Sequence, residues 1–181
     1  MKMLFTDKGP IYKETILNRF PVEPWNTISN LIFLFLVIYW GIKVYRNFKE
    51  NQFLGYSIPV LFIGYIGGTI YHATRSHQAW LIMDWLPIFM LCAGVSIYYF
   101  VKLKVKWFYV AKIIIMPMII MLLLRFVFQV PLHYFPILGY GSLALWILFP
   151  IILYLYRNQW KNWVIILSAL FSFVFAIMFR S

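Results

Sequence analysis

Charge is what this sequence has least of. Only 12% of its 181 residues are charged, about half the share of a soluble domain. Five are acidic: Asp7, Glu14, Glu23, Glu50 and Asp84. A surface facing water on all sides cannot be built from that composition, which excludes a soluble globular domain. Cysteine is reduced to Cys92, so an intrachain disulfide and a CxxC metal motif are both excluded. Histidine is almost as scarce, with His72, His77 and His133 alone. The first 25 residues interleave charged with scattered apolar residues and are not expected to form a cleavable signal peptide.

Apolar residues fill the chain instead, at 64%, with 22% aromatic and a mean hydropathy of +0.81. Tyr and Trp rings favour the boundary between headgroups and acyl chains, so their enrichment fits a lipid-embedded protein. The net charge of +11 would suggest nucleic acid in a soluble protein. Here the basic residues fall mostly between apolar runs and read as a topological signal, with no nucleic-acid partner expected.

About 20 apolar residues cross a bilayer core as a helix. Such runs lie at Thr27–Tyr45, Leu54–Thr74, Trp80–Val101, Trp107–Phe128, Ile137–Tyr156 and Trp160–Phe179. The expected fold is an all-α integral membrane protein, an up-and-down bundle of six transmembrane helices. It would form one transmembrane domain over residues 1–181, with residues 1–26 as a polar N-terminal segment. Pro59, Pro117 and Pro150 fall inside spans, where kinks are tolerated. Lys43, Arg46 and Lys49, then Lys102, Lys104 and Lys106, then Arg157 and Lys161 follow alternate spans and read as cytoplasmic. That orientation leaves the N-terminus extracytoplasmic, although Lys2, Lys8, Lys13 and Arg19 argue the other way.

On this topology every acid but Glu50, and all three histidines, lie toward one membrane face. His72 falls near the end of span two and Asp84 about four residues into span three. An intramembrane acid is a functional-site hypothesis by default. An acid in a first helical turn is also what the helix dipole favours, and a boundary histidine is often simply hydrogen-bonded. Together the two pair an imidazole with a carboxylate, the arrangement that orients a metal-bound water. Gly67 and Gly68 allow close helix approach; Thr69 either bonds its own helix backbone or meets a substrate oxygen. In Glu23-Pro-Trp-Asn-Thr-Ile-Ser-Asn30, Asn26 and Thr27 suit a helix cap, while Glu14 and Glu23 are either solvated charges or hard oxygen ligands of the Ca²⁺-binding kind.

Three stretches, Glu23–Asn30, Gly68-Thr-Ile-Tyr-His-Ala-Thr74 and Met83-Asp-Trp-Leu-Pro87, resemble the alkaline ceramidases and their bacterial relatives. Those belong to the CREST superfamily with the progestin and adipoQ receptors and hemolysin III-like proteins. The resemblance covers about residues 12 to 90. It implies a seven-span fold and a zinc-dependent hydrolase of lipid amides such as ceramide, with Zn²⁺ bound by three histidines. His72 would be the first of these, and Asp84 the acid on the zinc water. Glu14 and Glu23 would hold Ca²⁺, with Trp25 and Asn26 nearby. The family's serine one turn before the zinc histidine is Gly68 here, leaving Thr69 as its replacement. The family's later HxxxH pair has no counterpart in this sequence. The chain is therefore expected to be truncated, to bind zinc weakly and to be nearly inactive, with His77 and His133 as poor substitutes. The rival reading is a non-enzymatic receptor-like or structural membrane protein.

Overall fold

The computed structural model describes residues 9–129 and 135–178, and helices are the only regular elements there. They are α1 (Pro24–Ser29), α2 (Leu31–Arg46), α3 (Gln52–Thr74), α4 (Gln78–Lys102), α5 (Trp107–Phe126), α6 (Phe135–Arg157) and α7 (Trp163–Met178). Three stretches among the described residues are long and apolar enough to cross a membrane: Pro24–Arg46, Gln52–Thr74 and Gln78–Lys102. On α2, Ile32, Phe35, Ile38 and Ile42 stand exposed. An apolar face of that kind is stable against lipid and costly against water. The chain is an all-helical membrane protein.

Local features set several helix boundaries. Pro24 opens α1 at a position where its missing N–H costs nothing. The first expected span is interrupted at Asn30, whose carbonyl accepts from Phe33 N at 3.0 Å and Leu34 N at 3.4 Å. The next turn is short, so α4 begins at Gln78, not Trp80. Asp84 therefore lies beyond the first turn, where the helix dipole no longer accounts for it.

The chain forms two compact units, residues 1–94 and 95–181. In the second, Phe100, Leu103 and Val110 form a buried cluster. Ser96 Oγ donates to the Trp146 carbonyl at 2.9 Å, and Arg157 donates to the Leu103 carbonyl at 2.7 Å.

In the first unit, a glycine seam on α3 faces α4. A Cβ on Gly67 would meet Met83 Cβ and lie 2.6 Å from the Met83 carbonyl carbon, and one on Gly64 would lie 3.3 Å from Pro87 Cβ. Without side chains the two backbones approach as closely as small residues permit in membranes. This approach brings the end of α3 against Asp84. Gly67→Ala should force the helices apart at a cost of about 1–3 kcal/mol. Thermal unfolding in lipid nanodiscs should show a lower Tm.

Candidate functional site

Five of the sequence-predicted residues, Glu23, Asn26, Thr69, His72 and Asp84, gather toward the C-terminal end of α3. Two backbone bonds dock the N-terminal segment there: Val22 N donates to the Ala73 carbonyl and Glu23 N to the His72 carbonyl, both at 3.0 Å. They satisfy carbonyls that a helix end leaves without partners. They also place Glu23, which has no exposed surface, directly beside His72.

Glu23 Oε2 lies 2.5 Å from His72 Nδ1, and Asn26 Nδ2 stands 3.5 Å from the same oxygen. Oε1 accepts from Thr15 Oγ1 at 2.7 Å and from Arg75 Nη1 at 2.8 Å. A carboxylate can only accept, so a His72 proton sits on Nδ1, and Nε2 is turned away from Glu23. Nε2 lies 3.6 Å from Asp84 Oδ2, beyond hydrogen-bond length. Burial alone would raise the Glu23 pKa. Hydrogen bonds from His72, Thr15 and Arg75 outweigh that and hold it below the ordinary value of 4.5. Tyr71 and Tyr12 wall the imidazole, with ring centroids 5.1 and 6.0 Å from it.

Around Gly68 the polar atoms converge from two further helices. A Cβ there would meet Asp84 Oδ1 and lie 2.9 Å from Asn30 Nδ2. A serine there, which the resemblance gives to the family but not to this chain, would press on the Asp84 carboxylate. Asn30 is 6% exposed, and its Nδ2 and the Thr69 Oγ1 are buried without a hydrogen-bond partner among the described residues. Thr69 does not spend its hydroxyl on its own helix. It stands three residues before His72, on the same helix face.

The remaining candidates serve elsewhere. Glu14 Oε2 accepts from Trp25 N at 2.6 Å and Oε1 from Asn26 N at 2.9 Å, so its carboxylate caps the start of α1. The Trp25 side chain is 74% exposed, suited to the membrane boundary. His77 Nδ1 accepts from Ala79 N at 3.0 Å, a bond at the start of α4. His133 lies outside the described residues. No group of three or more His, Cys, Asp or Glu side chains that could hold a metal ion occurs among the described residues.

Sequence reading missed Arg75, Thr15 and the aim of Asn30. Arg75 directly follows the last residue of α3, three positions after His72, and that closeness in sequence was the available signal.

A buried carboxylate, an imidazole held by it and a second carboxylate beyond the ring form one polar cluster at the end of α3. The family model described as Ceramidase matches residues 16–179, most of the chain, and the chain belongs to that family. Membership carries a ceramide-hydrolase-like function in general. Neither the curated proteins nor the solved structures yield a match.

Proposed function

We propose that this protein is a zinc-dependent intramembrane hydrolase of ceramide-like lipid amides, with six spans and an extracytoplasmic N-terminus. One observation carries the reading: Glu23, His72 and Asp84 stand in line, with Glu23 dry and Nδ1 of His72 committed to it. Metal-binding histidines characteristically donate their other ring N–H to a carboxylate. The donor chemistry at His72 fits zinc, and His72 Nε2 would hold it. When bound there, zinc would supply Lewis acidity that polarises the amide carbonyl and makes water nucleophilic near neutral pH. Because the described residues bring a single imidazole to this place, zinc is expected to bind weakly and activity to rise with added Zn²⁺.

Asp84 is the general base. It takes a proton from water as the oxygen attacks the amide carbon, then returns a proton to the leaving nitrogen as the C–N bond breaks. The products are a fatty acid and a long-chain amine. Thr69 Oγ1 and Asn30 Nδ2, both without a partner among the described residues, are the donors available to the developing oxyanion. Thr69→Val should lower kcat by about tenfold to a hundredfold with little change in KM, measured by amine release in nanodiscs.

The acyl chain would lie between α3 and α4. A cavity of about 150 Å³ there is lined by Phe53, Tyr56, Val60, Met90, Leu91 and Gly94. Val60 lies 12 residues from His72, roughly 18 Å along the helix. The test is a lipid panel offered to the protein in nanodiscs with Zn²⁺. Cleavage of ceramides in preference to phospholipid esters supports the reading; cleavage of esters alone contradicts it.

A further inference from the structure

Calcium, which the resemblance places at Glu14 and Glu23, meets oxygens that already have partners. Both Glu14 oxygens accept backbone N–H groups of α1. Both Glu23 oxygens are engaged, and one of them holds a cation belonging to the chain itself. Arg75 Nη1 donates to Glu23 Oε1 at 2.8 Å and to the Pro10 carbonyl at 2.7 Å, while Nη2 donates to the Gly9 carbonyl at 3.2 Å. A carboxylate and two backbone carbonyls are the oxygen types that surround calcium in proteins. Here they surround a guanidinium that is 4% exposed.

Two features indicate that the fold is arranged around this side chain. Arg75 ends α3 with φ 45° and ψ 36°, the left-handed region where glycine usually terminates a helix. An arginine pays strain there, and such strain persists where surrounding contacts over-determine the residue. Gly9 supplies the complementary concession. A Cβ on it would meet the Tyr71 hydroxyl and lie 3.1 Å from Arg75 Nη2, so a larger residue would have to displace the Tyr71 side chain for the segment to close as it does on the guanidinium.

We propose that Arg75 is a built-in cation that does at this site what a bound calcium ion would do: it ties residues 9–10 and Glu23 to the end of α3 and so positions His72. The site therefore assembles without calcium. Arg75 touches no reacting atom and is a positioning residue. Its planar fork spans several oxygens at once, which a lysine ammonium does not.

The test uses the whole chain in lipid nanodiscs. Terbium luminescence, excited through tryptophan and competed with Ca²⁺, is expected to show no saturable site, and Tm is expected to be equal in Ca²⁺ and in EGTA. A saturable, calcium-competed signal, or a Tm several degrees higher in calcium, as a site held at about 100 times its Kd would give, overturns the proposal. Arg75→Gly relieves the left-handed strain, so an ordinary helix end would gain stability from it. The expected result is a lower Tm, partly recovered in Arg75→Lys; a Tm at or above wild type in Arg75→Gly overturns the proposal. Should Arg75→Gly fail to fold, the wild-type metal titration decides. Unfolding and metal binding need no substrate, so failure here and failure of the hydrolase reading are separate results.

Discussion

Asp84→Asn is expected to lower kcat for lipid-amide hydrolysis by about 10²–10⁴-fold while KM stays within about threefold, the range spanned by general acid–base catalysis. The amide keeps the size of the carboxyl and its place over Gly68, where both Asp84 Oδ1 and Asn30 Nδ2 crowd the helix. It removes the ability to take a proton from water. The side chain is 24% exposed, wet enough that neutralising it should leave Tm nearly unchanged. Loss of kcat with an unchanged Tm separates a role in chemistry from one in packing. Measurement of released amine by mass spectrometry in Zn²⁺-supplemented nanodiscs, beside a thermal melt, gives both numbers.

Glu23→Gln should have the opposite signature, a fold-level loss. Removing one partner of a buried ion pair leaves the other charge uncompensated, typically at about 3–5 kcal/mol. Arg75, its partner at 2.8 Å, is itself nearly inaccessible. For a chain of this size that corresponds to a Tm fall of roughly 10 °C. Hydrolysis should fall about 10–100-fold in the folded fraction, because the group that orients His72 is weakened. The pH dependence follows from the sign of the shift. The folded-state pKa of Glu23 lies below the ordinary 4.5, so its contribution is complete above about pH 4.5 and is lost as pH falls through the lower folded value. Melts between pH 7 and pH 3 should show wild type losing Tm on the acid side, with a shallower loss in Glu23→Gln.

Much of this was legible in the sequence because a bilayer imposes simple rules. A helix must be apolar for about 20 residues, so the expected runs at Leu54–Thr74 and Trp80–Val101 lie within α3 and α4. Asp84, His72 and Glu23 were legible because polar groups near lipid are rare enough to demand a reason. Their meeting depends on the Gly64–Gly67–Gly68 seam, which shows in the sequence as a run of small residues.

What stayed illegible were roles that residue type does not fix. Glu14 and Glu23 are both glutamates beside one helix start, yet one caps α1 and the other reaches across to α3. The difference lies in how the segment 9–23 folds back, which hydrophobic pattern does not encode. His77 looks like a spare ligand until α4 is seen to begin beside it. The place of Arg75 was hidden because its partners, the carbonyls of Gly9 and Pro10, are backbone atoms contributed 66 and 65 residues earlier. The break at Asn30 was hidden because the polar stretch before it also reads as a plain helix cap.

The most direct test of the hydrolase account is isotopic. The whole chain in nanodiscs with ceramide, Zn²⁺ and ¹⁸O-labelled water should release fatty acid carrying one ¹⁸O in its carboxyl group, slowly and in proportion to the zinc bound, and His72→Ala should release none. Labelled fatty acid appearing equally in wild type and His72→Ala, or no release by wild type at any zinc concentration, would contradict the account.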